Sequence, residues 1–170
     1  MSEGMPPNLN ERYYHFELSA EFNQFYLQDE SVEGEVDWTV QEGHDNLAYN
    51  FGIIAVGTNC DRVVPVEVQI MSSEPPLNAE RWDHLVDCSI DVPSGRLVIS
   101  GLFEDFATAA RINLEPGRYR ARVCYGNQYS YDDQIGCACA DYYVVMLWRS
   151  DDKIFEVLKR RVDLFCSLIG

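Results

Sequence analysis

Four carboxylates and an indole crowd into nine residues: Glu30, Glu33, Glu35, Asp37 and Trp38. They belong to the run Glu30-Ser31-Val32-Glu33-Gly34-Glu35-Val36-Asp37-Trp38-Thr39, which follows an aromatic segment and holds no basic side chain. In an extended chain, alternate side chains stand roughly 7 Å apart. That is about the phosphate spacing along one nucleic-acid strand. Such a row can dock in the Lys/Arg groove of a protein that handles nucleic acid, and a neighbouring tryptophan is a residue type that anchors interfaces. Tyr13, Tyr14 and Tyr26 are further candidate anchors. The competing reading is a solvated acidic loop with Trp38 plugging the core beneath it. The expected partner is a basic protein and not nucleic acid, whose phosphates this charge repels.

The other residues that could do chemistry are scattered. His15, His44 and His84 lie far apart in sequence, and a Cys60–His44 dyad is conceivable but lacks any local signature of a nucleophile. Six cysteines are present; Cys88 and Cys124 fall in apolar, strand-like segments, where a thiol behaves as a small hydrophobe. Cys137-Ala-Cys139, near Asp132, Asp133 and Asp141, could share a metal ion. It has neither the two-residue spacing nor the second pair of a zinc site, so no metal and no cofactor are expected. The glycines are isolated turn residues, and no phosphate loop is present. Tyr129, Tyr131, Asp132 and Asp133, in the aromatic stretch Tyr125–Asp133, make an alternative site for a small ligand or carbohydrate. No motif supports an enzyme.

Charge is distributed unevenly along the 170 residues, which carry a net −15. Residues 1–60 hold eleven acids and one base, Arg12, whereas the stretch from Arg149 to Gly170 is slightly positive and contains both lysines, Lys153 and Lys159. This balance disfavours contact with nucleic acid and anionic membrane. The apolar runs Phe51–Gly57 and Tyr142–Trp148 fall far short of the roughly 20 residues a membrane helix needs. The start MSEGMPPNLNE has neither the basic region nor the apolar stretch of a secretory signal, so the expected compartment is the cytoplasm.

The elements that position these residues read mostly as strands. Val64, Val66, Val68 and Ile70 alternate with Pro65, Glu67 and Gln69, and Tyr119, Ala121, Val123 and Tyr125 alternate with Arg118, Arg120, Arg122 and Cys124. The second run predicts an arginine ladder on one face of a strand. Turn signals at Ser72–Pro76, Pro93-Ser94-Gly95 and Glu115-Pro116-Gly117 separate such runs. The fold expected is all-β: a two-sheet antiparallel sandwich over residues 13–148, after a flexible N-terminus, 1–12. From Ser150 the pattern changes. Ile154, Leu158, Phe165 and Leu168, with Asp151 and Asp152 at the start, predict one C-terminal α-helix within 149–170.

Several short motifs occur together in a fixed order: Tyr14-His15-Phe16, Asp37-Trp38-Thr39, Leu114-Glu115-Pro116-Gly117-Arg118-Tyr119 leading to Cys124-Tyr125, and Ala140-Asp141 followed by Tyr143-Val144-Val145. This order resembles the competence-protein J family, in patches from Tyr13 to Trp148. The resemblance implies a small acidic bacterial protein whose namesake inhibits a DNA-entry nuclease. On that reading the partner is a nuclease or a toxin-like effector, bound through Glu30, Glu33, Glu35, Asp37 and Trp38. The stretch Leu77–Asp91 and everything after Trp148 depart from the family pattern.

Overall fold

The period-two runs become the strands of a sandwich. The structure, a computed structural model, describes residues 11–128 and 140–162. One sheet has six strands in the order β1 (Arg12–Ser19), β5 (Val63–Ile70), β10 (Tyr142–Arg149), β9 (Gly117–Gly126), β6 (His84–Val92) and β11 (Phe155–Lys159). The other has five, in the order β3 (Leu47–Asn50), β4 (Ile53–Gly57), β2 (Gln24–Asp29), β7 (Arg96–Gly101) and β8 (Ala110–Asn113). Among the described residues a single short α-helix, α1 (Val40–Asp45), joins the loop after β2 to β3. The five-stranded sheet is antiparallel throughout, but in the larger sheet β10 runs parallel to β5. Residues 71–141 separate those two strands, so no hairpin turn imposes their direction.

The core lies between the sheets and is built from alternate residues: Val64, Val66, Val68 and Ile70 of β5 join Phe25 and Leu27 of β2 in one buried cluster. Phe25, Tyr143 and Tyr125 pack edge to face, with ring centres 5.5 and 5.6 Å apart. A smaller apolar cluster of Trp82, Leu85, Cys124 and Val144 sits on the outer face of the six-stranded sheet, under residues 77–83.

The arginine ladder forms as the alternation requires, and β6 answers it with acids in register. Arg118 opposes Asp91, and Arg122 opposes Asp87. Asp87 is fully buried and accepts hydrogen bonds from Arg120 Nε at 2.8 Å and from Arg122 Nε and Nη2 at 2.9 and 3.0 Å. Both guanidiniums lie over the Trp148 ring, at 5.6 and 5.1 Å. The ladder is therefore a structural fastening on the sandwich's outer face.

The C-terminal helix expected from Asp151 onward does not form in the described residues. Instead Phe155–Lys159 add a strand to the free edge of β6, pairing Phe155 with Cys88 and Val157 with Val86. The sheet edge offers unpaired backbone groups that an isolated helix cannot satisfy, and Phe155 and Val157 reach the main core from alternate positions. Ser89 fixes the approach: its hydroxyl donates to Asp152 O and accepts the Ile154 N–H, both at 2.8 Å. Phe165 and Leu168 lie outside the described residues.

Replacing Asp87 with Ala leaves two guanidiniums without their buried counter-charge. It is expected to cost about 3–5 kcal/mol in chemical denaturation, and a loss below about 1 kcal/mol, the range of an exposed pair, would contradict this role.

Candidate functional site

Alternation along β2 sends Phe25, Leu27 and Asp29 inward and leaves Gln24, Tyr26 and Gln28 on the outer face. The acidic loop that follows crosses that face, held at both ends. At its start, burial pushes the Asp29 carboxyl up, but hydrogen bonds from Ser31 and Ser94 outweigh this and hold it below its usual range. The backbone N–H and hydroxyl of Ser31 donate to Oδ1 at 2.8 and 2.6 Å, and those of Ser94 donate to Oδ2 at 3.0 and 2.8 Å. Glu30 pairs with Arg111 at 2.8 Å and Arg96 at 3.3 Å. Val32 lies flat on Gly52, where an added Cβ would meet its Cγ2 at 2.5 Å and the backbone φ is +68°, so only glycine fits. At the far end the Trp38 indole N–H donates to Gln24 Oε1 at 2.9 Å. Thr39 N–H then donates to the Glu42 carboxylate at 3.2 Å and starts α1.

Between these fixed ends Glu33, Glu35 and Asp37 are exposed on an irregular segment. Trp38 does not plug the core; it is 38% exposed. Together with Tyr26, Phe106, Leu102, Ile53, Glu35 and Glu104 it lines a cleft of about 380 Å³ over β2 and β7. The Tyr26 hydroxyl is raised above its usual pKa by burial and by the charge of Glu35. Of the carboxylates singled out by sequence, Glu35 enters the cleft, Glu33 and Asp37 stand on the same loop beside it, and Glu30 is spent on the two arginines. Of the tyrosines, only Tyr26 is brought to the site; Tyr13 and Tyr14 lie on β1 of the other sheet. The alternative set Tyr129, Tyr131, Asp132 and Asp133 lies outside the described residues.

Sequence reading missed the side of the site made by the β7–β8 loop, Leu102 to Phe106, and by Phe22. Phe22 has φ 56° and ψ 30°, and Asn23 follows at φ 59°. A left-handed conformation costs a residue with a Cβ roughly 1–2 kcal/mol. The turn is held by Phe22 N–H donating to Asp61 Oδ1 at 3.2 Å and by the Asn23 amide donating to Thr58 O and Asn59 O. The Asn at 23, tolerant of this region, was the available sequence signal.

The fold is shared with two solved structures. One is ComJ, inhibitor of the DNA degrading activity of NucA, from Bacillus subtilis: TM-score 0.65, 18% identity, 82% of this chain and 98% of that one. The other is the crocagin biosynthetic gene J product: TM-score 0.58, 19% identity, 84% of this chain and 99% of that one. No protein-family model and no curated protein matches the sequence. At these identities the likeness is one of fold, and the motif order noted above agrees with it. Most of those motifs are fasteners. The Tyr119 hydroxyl donates to Glu115 O at 2.6 Å, and Asn59 N–H donates to both Asp141 Oδ2 and the Tyr143 hydroxyl, at 3.1 and 3.0 Å.

Among the described residues, His15 and His44 are exposed, on β1 and α1, whereas His84 and the cysteines are buried. Cys60, Cys88 and Cys124 are buried, and burial pushes the thiols of Cys88 and Cys124 up to about 12. No cluster of metal-ligating side chains occurs among the described residues; Cys137 and Cys139 lie outside them. His84 is fully buried, with Nε2 2.7 Å from Asp45 O and Nδ1 accepting the Arg161 N–H at 3.1 Å. This pattern requires the neutral ring. Burial chiefly, with the charges of Arg161 and Arg160, lowers its pKa from 6.5 to about 4. As pH falls from 6.5 toward 4 the unfolded chain takes up this proton and the folded chain does not. Stability should therefore decline by about 3 kcal/mol over that interval and the decline should end below it. Comparing denaturation of wild type and His84→Gln isolates the effect; a difference that stays constant with pH would contradict it.

Proposed function

We propose that this protein is an acidic, non-enzymatic binding protein of the cytoplasm that restrains a basic protein partner, a nuclease or similar effector. The observation that carries this reading is the Glu33–Trp38 segment: three solvated carboxylates and a half-exposed tryptophan, held at both ends by hydrogen bonds and ion pairs. A loop so anchored presents its charges without paying for their ordering on association. The fold shared with ComJ, inhibitor of the DNA degrading activity of NucA, supports a nuclease as the partner's class. The neutral buried His84 and the buried thiols of Cys88 and Cys124 support a binding role over a catalytic one. Among the described residues no helix is long and apolar enough to cross a membrane.

On this reading the acids steer encounter and the aromatics hold the complex. Purified protein titrated into NucA should slow DNA degradation. The triple variant Glu33→Gln, Glu35→Gln, Asp37→Asn should associate about tenfold more slowly at low salt, the gap closing as salt screens charges beyond roughly 8 Å. Full DNA degradation at saturating protein would sink the nuclease reading. Association rates indifferent to both salt and the triple change would leave the acidic loop without a steering role.

A further inference from the structure

Three apolar side chains near the acidic loop are exposed without an internal reason. Phe22 is 66% and Phe103 67% exposed, and their rings meet edge to face at 5.6 Å in solvent, with Leu102 beside them. Phe22 and Trp38 also line a second cleft, of about 210 Å³, which shares Gln24 and Trp38 with the first. Asn46 lines this second cleft from a position more than nine-tenths buried. A strained turn that holds a phenylalanine in water is an arrangement that a partner can complete. The surface round it is acidic: Glu21 and Asp61 flank Phe22, Glu104 and Asp105 follow Phe103, and Glu35 and Asp37 precede Trp38.

We propose that the Phe22–Phe103 pair and the two clefts flanking Trp38 are one docking surface, taking an exposed loop of a basic protein in which a lysine or arginine is flanked by apolar residues. The aromatic pair anchors the apolar flank. The larger cleft, walled by Trp38 and Tyr26 and edged by Glu35 and Glu104, takes the cationic side chain, where ring faces and carboxylates act together. The proposal deepens the nuclease-restraining reading and rests on it for the partner's class, but not for the surface's chemistry.

Two arms separate surface from partner. In the first, acetyl-Leu-Arg-Leu-amide is titrated into the protein and the three indole N–H signals are followed by NMR. Trp38 should shift, the buried Trp82 and Trp148 should not, and acetyl-Leu-Glu-Leu-amide should move none. No shift of Trp38, or equal shifts of all three indoles, overturns the surface. In the second, NucA binding is compared for wild type, Phe103→Ala and Phe22→Gly, the last of which relieves the left-handed strain. Each should weaken the complex about 30-fold, mostly through faster dissociation, with the melting temperature of Phe22→Gly held or raised. Unchanged affinity in both variants, with melting lowered by several degrees, would assign the pair to folding and overturn its docking role. A positive peptide arm with no NucA binding would reject NucA as a partner and keep the surface.

Discussion

The Asp29 carboxylate has no contact with solvent, and the four hydrogen bonds from Ser31 and Ser94 are what make that position tolerable. Strand alternation places it there: it is the last member of the inward row of β2, after Phe25 and Leu27. Because Ser94 belongs to the β6–β7 turn and Ser31 to the acidic loop, one buried charge ties three chain segments together. Glu30 is then placed to meet Arg96 and Arg111, Val32 to lie on Gly52, and the loop is aimed across the outer face of the smaller sheet. Without that fastening the carboxylates of Glu33, Glu35 and Asp37 would belong to an unconstrained loop, and Trp38 would have no fixed cleft to wall.

Much of this was legible from residue order alone. The alternation of Val64 to Ile70 and of Arg118 to Tyr125 identified strands and their faces, and the ladder's acidic partners on β6 are the finding that alternation could not name. Over Phe155–Lys159 the structure departs from the expected helix because two periods coexist in the segment. Ile154, Leu158 and Phe165 fit a helix, whereas Phe155 and Val157 fit a strand, and the open edge of β6 decides between them. That edge is a tertiary feature about 70 residues away, beyond the reach of a local pattern.

The site was half legible for the same reason. Glu35, Trp38 and Tyr26 lie near one another in sequence, and the acidic composition drew attention to them. Phe103, Glu104 and Phe106 arrive from the β7–β8 loop because β7 is hydrogen-bonded to β2, a pairing no nearby residue announces. Phe22 was hidden because an exposed phenylalanine and a buried one look alike in sequence; its left-handed backbone sets it apart. The motifs resembling the competence-protein J family mostly trace turns and buried tyrosines. They predict the sandwich well, and they say little about the surface where a partner would be chosen.

The central claim is that the outer face of the five-stranded sheet, with the acidic loop across it, meets the partner. Hydrogen–deuterium exchange of the protein alone and saturated with NucA tests this most directly. The account predicts slower exchange over residues 22–39 and 101–106, with β1 and β5 unchanged. Protection confined to β1, β5 or the β11 edge would contradict it.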